Sequence, residues 1–288
     1  MAKSLETINW FLELENVDVD RVDNDFLLLN RPIFRFIPNY PFKSNAVTGI
    51  ICAKGEMKGS INLKEQTFRA PGLAVVLADQ LIQFDSVSKD FAGLFIIISK
   101  SFLEDLAIEQ DLSLYLPILE NPFVPLSDQE LSMLEAFYMI MQRAINKKDN
   151  PYRIETLKCL TKAFYYSWGY DMHKAVTEEV PSKRELFLKE FLDLVNTNYK
   201  SHKTLDFYAD KLCVTSKHLS KIIKENSGKT ASEWIDNYVM LEAKALLKST
   251  NMTIQEISDE LKFPSQSFFG KYFKRHTGLS PSEYKNNT

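Results

Sequence analysis

The sequence predicts an α+β chain of several domains: an all-β domain comes first, a helical hairpin links it onward, and an all-α domain comes last. Short β-branched and aromatic runs, separated by Pro, Gly and Asn, occupy residues 26–99 and indicate strands. Two long segments with helical apolar spacing follow, and from residue 182 onward every apolar segment has that spacing. We therefore expect domains at 1–126, 127–180 and 181–288.

The composition is that of a globular protein whose two ends differ in charge. Its 288 residues are 45% hydrophobic and 12% aromatic, which is enough to fill a core in each of two domains. The net charge is -3, yet residues 181–288 carry 17 basic against 13 acidic side chains. This basic excess favours a polyanionic partner for the last third of the chain, although four charges also fit an ordinary solvated surface.

The cysteines and the N-terminus predict a cytoplasmic protein. Cys52, Cys159 and Cys213 are odd in number, widely spaced and set in apolar runs, so no disulfide framework is expected. The N-terminus carries acidic residues where a signal peptide needs an apolar stretch. No segment has the roughly 18 apolar residues of a membrane span, so we expect no membrane partner.

The β region divides into runs such as FLLLN, FRFI, AVTGIICA, SINL, LAVVL and LFIII. Many short strands with regular turn signals are typical of an all-β barrel or sandwich. Its interior is predicted to contain Phe34, Phe36, Ile51, Leu77, Phe84, Phe95 and Ile97. Such a set forms either a ligand cavity or an ordinary core. Arg35 and Arg69 suit an anionic ligand if they point inward, so the candidate ligand-binding residues are Phe34, Arg35, Phe36, Arg69 and Phe84.

The helical hairpin begins at a capping box formed by Ser127 and Glu130. A second helix follows Pro151. The apolar stripes of the two helices include Leu134, Phe137, Met141, Leu157, Phe164 and Trp168. Such stripes either pack on the β domain or form a homodimer seam, and we expect both, with a homodimer through residues 127–170.

The all-α region contains an internal repeat. Residues 204–228 align with residues 253–278, with an offset of 49 before a turn and 50 after it. In each copy a short helix has a small residue at its middle, Ala209 or Ser258, which lets a second helix cross closely after the turn. The repeat therefore predicts two helix-turn-helix units.

A further apolar helix, predicted over residues 230–249, joins the two copies. A rigid connecting helix holds the two second helices at a fixed separation. A separation of about 34 Å matches successive major grooves on one face of B-DNA. The polyanionic partner is therefore predicted to be double-stranded DNA.

Three stretches carry a family resemblance: LCVTSKHLSKIIKENSGKTASEWI, AKALL and ISDELKFPSQSFFGKYFKRHTGLSPSEYK. The last contains the pattern F-x-x-x-S-F-F-x-K-x-F-K-x-x-x-G-x-S-P-x-x-Y, and together they resemble the AraC/XylS family of bacterial transcription regulators. The resemblance covers residues 182–285. It implies gene activation more often than repression, RNA polymerase as a partner, and an N-terminal cupin-like barrel that senses a small-molecule effector.

The resemblance also implies which side chains face DNA. The implied DNA-binding residues are Lys217, Ser220, Lys221, Lys224, Gln266, Ser267, Lys271 and Lys274. Among them, Lys224 and Lys274 lie one turn after the base-facing positions and are expected to contact phosphates. Lys221 and Lys271 stand where the family very often has Arg, so we expect a softer readout of guanine. Phe268 fits either a thymine-methyl contact or the core.

The sequence indicates a binding protein and not an enzyme. The four histidines are His173, His202, His218 and His276. All of them follow the β region, which leaves a metal site in a cupin barrel without its usual ligands. No G-x-S-x-G motif, Cys-His pairing or phosphate loop occurs, so we expect no catalytic residue, cofactor or metal. The alternative to a small-molecule effector is a partner protein bound by the N-terminal domain.

Overall fold

The structure, a computed structural model, describes residues 6–30, 37–38, 40–106, 118–119, 121–173 and 183–286. They form two compact units, one within Thr7–Glu179 and the other within Val180–Thr288. The first unit is rich in β-strands and the second is helical, which confirms the coarse order of the predicted fold class. The division into 1–126, 127–180 and 181–288 stays a prediction.

The described strands of the first unit form two sheets. The strands are β1 (Thr7–Ile8), β2 (Asp20–Val22), β3 (Phe26–Leu29), β4 (Phe42–Ser44), β5 (Ala46–Lys54), β6 (Glu56–Ile61), β7 (Lys64–Arg69), β8 (Gly72–Val76), β9 (Leu81–Val87), β10 (Ala92–Ser99) and β11 (Phe123–Pro125). One sheet has the order β1-β4-β9-β6-β7, and the other has the order β11-β8-β5-β10-β3-β2. The pairing is antiparallel except between β1 and β4.

The six-stranded sheet is buried on both faces. Leu27 and Leu29 of β3 belong to a core shared with the five-stranded sheet, whereas Phe26 and Leu28 pack in a second core on the other face. This division follows from the two-residue alternation of side chains along a strand. Ile51 lies in the second core, so its predicted place inside the barrel is wrong. A one-residue difference in register moves a side chain to the opposite face.

The helices of the first unit, within the described residues, are α1 (Trp10–Glu13), α2 (Lys100–Asp105), α3 (Asp128–Asn146) and α4 (Arg153–His173). Helix α1 packs in the core between the sheets, whereas α2, α3 and α4 cover the outer face of the six-stranded sheet. The capping box of Ser127 and Glu130 starts α3, as the sequence predicts. Leu134, Met141 and Leu157 are at most 1% exposed because they pack in the second core. Their predicted role in a homodimer seam is therefore wrong: the sheet of the same chain already covers them.

The other members of the predicted seam differ in their surroundings. The rings of Phe137 and Phe164 lie 5.7 Å apart between α3 and α4, and both side chains are partly buried against the second core. The side chain of Trp168 lies outside the described part of the chain. Apolar side chains that are exposed on α3 include Met133 (57%) and Ile140 (52%), which lie about two turns apart.

The second unit is built around one long helix. Its helices are α5 (Lys183–Asn198), α6 (Leu205–Lys211), α7 (Ser216–Ser227), α8 (Ala231–Ser249), α9 (Ile254–Glu260), α10 (Gln266–Thr277) and α11 (Pro281–Asn286). Helix α5 packs against α7 and α8. Helices α9, α10 and α11 also pack against α8, where Phe269, Phe273 and Leu246 are fully buried. Helix α8 thus lies between two pairs of shorter helices.

Candidate nucleic-acid interface

The two pairs of helices on either side of α8, α6–α7 and α9–α10, have the same dimensions. The first helix of each pair has 7 residues and the second has 12. The starts of α6 and α9 differ by 49 positions and those of α7 and α10 by 50. The additional residue lies in the turn, where the sequence alignment puts it.

The turn between the helices has the same geometry in both pairs. Ala209 and Ser258 are 2% and 0% exposed, so a larger side chain at either position has no room without a shift of the helices. The backbone N–H of Val214 donates to the Ala209 carbonyl at 3.0 Å, and that of Phe263 donates to the Ser258 carbonyl at 2.9 Å. The predicted need for a small residue at this position is confirmed.

The second helix of each pair is fixed at both ends. Thr215 caps α7 and Ser265 caps α10, each accepting a backbone N–H three residues later. Gly228 and Gly278 end the two helices with φ of 72° and 78°, a conformation that favours glycine. The length and direction of both helices are therefore set locally.

Each second helix buries one face and exposes the other. Leu219 and Ile223 of α7 are 0% exposed, as are Phe269 and Phe273 of α10. The exposed positions include Lys217, Lys221, Lys224, Gln266, Ser267, Lys271 and Lys274. Ser220 is half-buried. The structure therefore brings the predicted DNA-facing side chains onto the solvent face of two equivalent helices.

Two details of these faces go beyond the sequence prediction. Phe268 is 62% exposed, so it does not belong to the core, and the thymine-methyl contact stays a prediction. Lys221 Nζ lies 3.8 Å from Glu225 Oε1, and the two side chains are 72% and 43% exposed. A pair this exposed adds little to stability, which leaves Lys221 able to exchange its partner for DNA.

The repeat extends further than sequence reasoning detected. Thr230 with Glu233 caps α8, and Ser280 with Glu283 makes the corresponding bonds at α11. The hydrogen bonds that Thr230 and Ser280 donate to Glu233 and Glu283 lower the pKa of both carboxyl groups. The signal was present in the stretches TASEW and SPSEY, which also differ by 50 positions. The second pair thus ends on a short copy of the helix that follows the first pair.

The β-rich unit contains a cavity of about 90 Å³ between its two sheets. Its lining is almost wholly apolar and includes Phe42, Ile50, Phe84 and Phe95. Thr48 also lines it. Phe84 is thus where the sequence predicts it.

The remaining predicted ligand residues are not found in this cavity. Arg69 does not line it: the side chain is 72% exposed and its Nε donates to Glu56 Oε2 at 3.1 Å. Phe34, Arg35 and Phe36 lie outside the described residues. The expectation of an arginine for an anionic ligand thus fails at Arg69, because β7 turns that side chain to solvent.

Other chemistry has little support in the described parts of the chain. There, no three His, Cys, Asp or Glu side chains lie close enough together to hold a metal ion. The three cysteines are free, and burial raises the pKa of the Cys52 thiol to about 12, which makes it a poor nucleophile. Among the described helices, none has the length and apolar character needed to span a bilayer.

The fold and the exposed faces of α7 and α10 are those of a helix-turn-helix domain in the C-terminal unit. Residues 208–287 match the family model of the helix-turn-helix domain. Over 98 residues the chain is 33% identical to the lactose operon transcription activator of Staphylococcus xylosus, covering 34% of this chain and 35% of that one. Over 85 residues it is 31% identical to the arabinose operon regulatory protein of Salmonella typhimurium, covering 30% of each.

These matches confirm the resemblance to the AraC/XylS family over the C-terminal unit, which is similar to the helix-turn-helix part of transcription regulators of this type. The matched part spans about a third of the length of these curated relatives.

Solved structures that show some likeness to the chain include those of two proteins. One is the C-terminal domain of AraT, a response regulator from Geobacillus stearothermophilus, with 26% identity, 37% of this chain and 89% of that chain covered, and a TM-score of 0.34. The other is ToxT from Vibrio cholerae, with 17% identity, 91% and 98% covered, and a TM-score of 0.42. With TM-scores below 0.5, neither likeness supports a conclusion about this chain.

Proposed function

We propose that this chain is a sequence-specific transcription regulator that inserts α7 and α10 into successive major grooves of double-stranded DNA, as two helix-turn-helix units. The observation that carries the proposal is the repeated geometry: two equivalent helices, capped alike and buried alike, expose lysines at the same positions. Chance surface charge has no reason to repeat with an offset of 50 residues. A duplex with two half-sites on one face matches such a repeat.

The exposed side chains divide into two roles by their position along each helix. Near the N-terminal end, Lys217, Ser220 and Lys221 of α7 face base edges, as do Gln266, Ser267 and Lys271 of α10. One turn later, Lys224 and Lys274 contact phosphates and set the register of the protein on the duplex.

The test is a pair of binding measurements on the full chain. Bound genomic sites are first mapped by footprinting, and the affinity for one such site is then compared with that for a scrambled duplex at equal salt. We expect the mapped site to bind at least 100-fold more tightly, within the usual range of specificity ratios. Equal affinity for the two duplexes contradicts the proposal.

The protein is proposed to be cytoplasmic and to activate transcription through contact with RNA polymerase. One of the relatives is a lactose operon transcription activator, which supports activation and not repression. Deletion of the gene should lower transcription next to its binding sites, whereas a rise indicates repression.

A homodimer is proposed to form through the exposed Met133 and Ile140 of α3, which replace the buried stripe as the dimer interface.

A small effector is proposed to bind inside the cupin-like β unit. The cavity between the sheets supports this, and its apolar lining favours a small uncharged molecule over a sugar. Its size of about 90 Å³ is on the scale of the roughly 150 Å³ apolar cavity that holds benzene in another protein. Lys58 Nζ, also among the lining residues, is paired with Glu56 Oε1 at 2.9 Å.

Thermal shift measurements with toluene and 1-hexanol test this, with lactose and arabinose as polar controls. A probe at 100 times its dissociation constant adds about 2.7 kcal/mol of stability. Thr48→Leu fills the cavity and should abolish the shift, while Thr67→Leu on the exposed face of β7 should retain it. If neither apolar probe raises the melting temperature, the alternative of a partner protein is favoured.

A further inference from the structure

A cluster of one buried and two partly exposed charges connects the start of the first helix pair to the second pair. Lys200 Nζ lies 2.9 Å from Glu242 Oε1 of α8 and 2.8 Å from Glu260 Oε1 at the end of α9. Glu242 is 3% exposed, and the side chains of Lys200 and Glu260 are 32% and 31% exposed. A carboxylate as buried as Glu242 needs a charged partner, so Lys200 is held in place by both acids.

Two further lysines strengthen the same connection. Lys203 Nζ donates to the Leu261 carbonyl and lies 4.5 Å from the centre of the Phe263 ring. Lys262 Nζ donates to Ser201 Oγ at 2.8 Å. The segment 199–203, which leads from α5 into α6, is thus bonded to the residues at the end of α9. We call this set the junction cluster; it comprises Lys200, Ser201, Lys203, Glu242, Glu260, Leu261 and Lys262.

The junction cluster gives the two helix pairs a second connection besides α8. A single connecting helix fixes the distance between α7 and α10 but leaves their relative rotation dependent on packing alone. A second attachment, made off the axis of α8, removes that freedom. Each base pair advances the half-site by about 3.4 Å and rotates it by roughly 35° in B-DNA with 10–10.5 base pairs per turn. A fixed rotation therefore matches one half-site spacing and rejects its neighbours.

We propose that Lys200 and Glu242 are positioning residues that make this protein read the spacing between its two half-sites. The proposal rests on the function proposed above, since it needs α7 and α10 to bind the same duplex. Neither residue contacts DNA in this scheme. Specificity for spacing arises because a duplex with the wrong phase can engage only one of the two helices.

The test variant is the double substitution Lys200→Met with Glu242→Gln. It removes Lys200 and its buried partner Glu242 together, so that position 242 holds no charge without a partner, and it keeps the net charge unchanged. Glu260 also loses Lys200, but its side chain is 31% exposed and can be solvated. The matched control is Lys244→Met with Glu190→Gln, which also conserves net charge and lies outside the junction cluster. All three full-length proteins are titrated with duplexes whose half-sites are separated by the natural spacing or by one to three base pairs more or fewer.

We expect the parent and the control to lose at least 10-fold in affinity for each duplex changed by one base pair. The double variant should lose less than 3-fold across the same change. Identical spacing profiles for the parent and the double variant overturn the inference while leaving the proposed function intact. Absence of any operator preference in the parent contradicts the proposed function instead.

If the parent shows no operator preference, a measurement without DNA still tests the role of the junction cluster. Spin labels on Lys224→Cys and Lys274→Cys, in a chain with Cys159→Ser and Cys213→Ser, report the distance between α7 and α10 by pulsed electron resonance. A narrow distance distribution that broadens in the double variant supports the inference that the junction cluster fixes α7 relative to α10. Equal widths in the two proteins overturn it.

Discussion

Removing Lys221 tests whether the N-terminal part of α7 reads bases. Its side chain is 72% exposed and its acidic neighbour Glu225 lies at 3.8 Å, so Lys221→Ala should change the free energy of folding by only about 0.3–0.5 kcal/mol. A lost base contact costs about 1 to 3 kcal/mol, which is roughly 5- to 160-fold in affinity for the operator. Lys271→Ala should have the same effect at the other half-site.

The control for this prediction is the lysine one turn later. Lys224→Ala should weaken operator and scrambled DNA alike, and should reduce the slope of log affinity against log salt by about 0.9 for one lost phosphate contact. Lys274→Ala should do the same. The assay is a salt titration of binding, by fluorescence anisotropy, for all four variants on both duplexes. If Lys221→Ala and Lys271→Ala weaken both duplexes equally, the assignment of the reading face is wrong.

Three further outcomes are expected. Phe268→Ala should reduce the preference for thymine at one operator position, whereas Phe268→Leu should retain most of it. The assay compares affinity for duplexes that carry thymine or uracil at that position, since the two bases differ by the methyl group. If Phe268→Ala leaves the ratio of these affinities unchanged, the methyl contact is ruled out. Burial and the nearby Lys262 lower the pKa of Lys203 to about 8, so the folded state loses this proton at a lower pH than the unfolded state. The free energy of unfolding of the parent, relative to that of Lys203→Met, should therefore rise between pH 8 and 10. Titration of the Lys203 amine above pH 10, measured by NMR, refutes this. Met133→Glu with Ile140→Glu should convert a dimer to a monomer in sedimentation at tens of micromolar, and a parent that is already monomeric there contradicts the seam.

The helix pairs could be predicted from sequence because their determinants are local. A small residue in the first helix, a hydroxyl cap and a terminal glycine each act within about four residues, and all recur at a constant offset. Ala209 and Gly228 therefore indicated the turn and the helix end without knowledge of the rest of the chain. The exposed face followed once the buried stripe was known.

Features that depend on distant partners could not be predicted. An apolar stripe indicates that something covers a helix, but not whether a sheet of the same chain or a second copy does so. Both were expected for Leu134, and only the packing on the sheet is found. The extent of strand β7, with the sequence KEQTFR, could not be predicted from apolar runs because it is an edge strand with little apolar surface. Lys200 and its partners Glu242 and Glu260 are 42 and 60 positions apart in sequence, and no spacing rule joins them.

The six-stranded sheet separates the cavity from the second core in the β-rich unit. Along β10, Phe95 and Ile97 line the cavity, while Ile96, between them in sequence, packs with the residues of α3 and α4. Protein interiors are packed densely enough that a displaced side chain moves its neighbours. A molecule that fills the cavity therefore displaces side chains of the six-stranded sheet. Because α3 and α4 pack directly on the opposite face of this sheet, they are the first helices to be displaced with it.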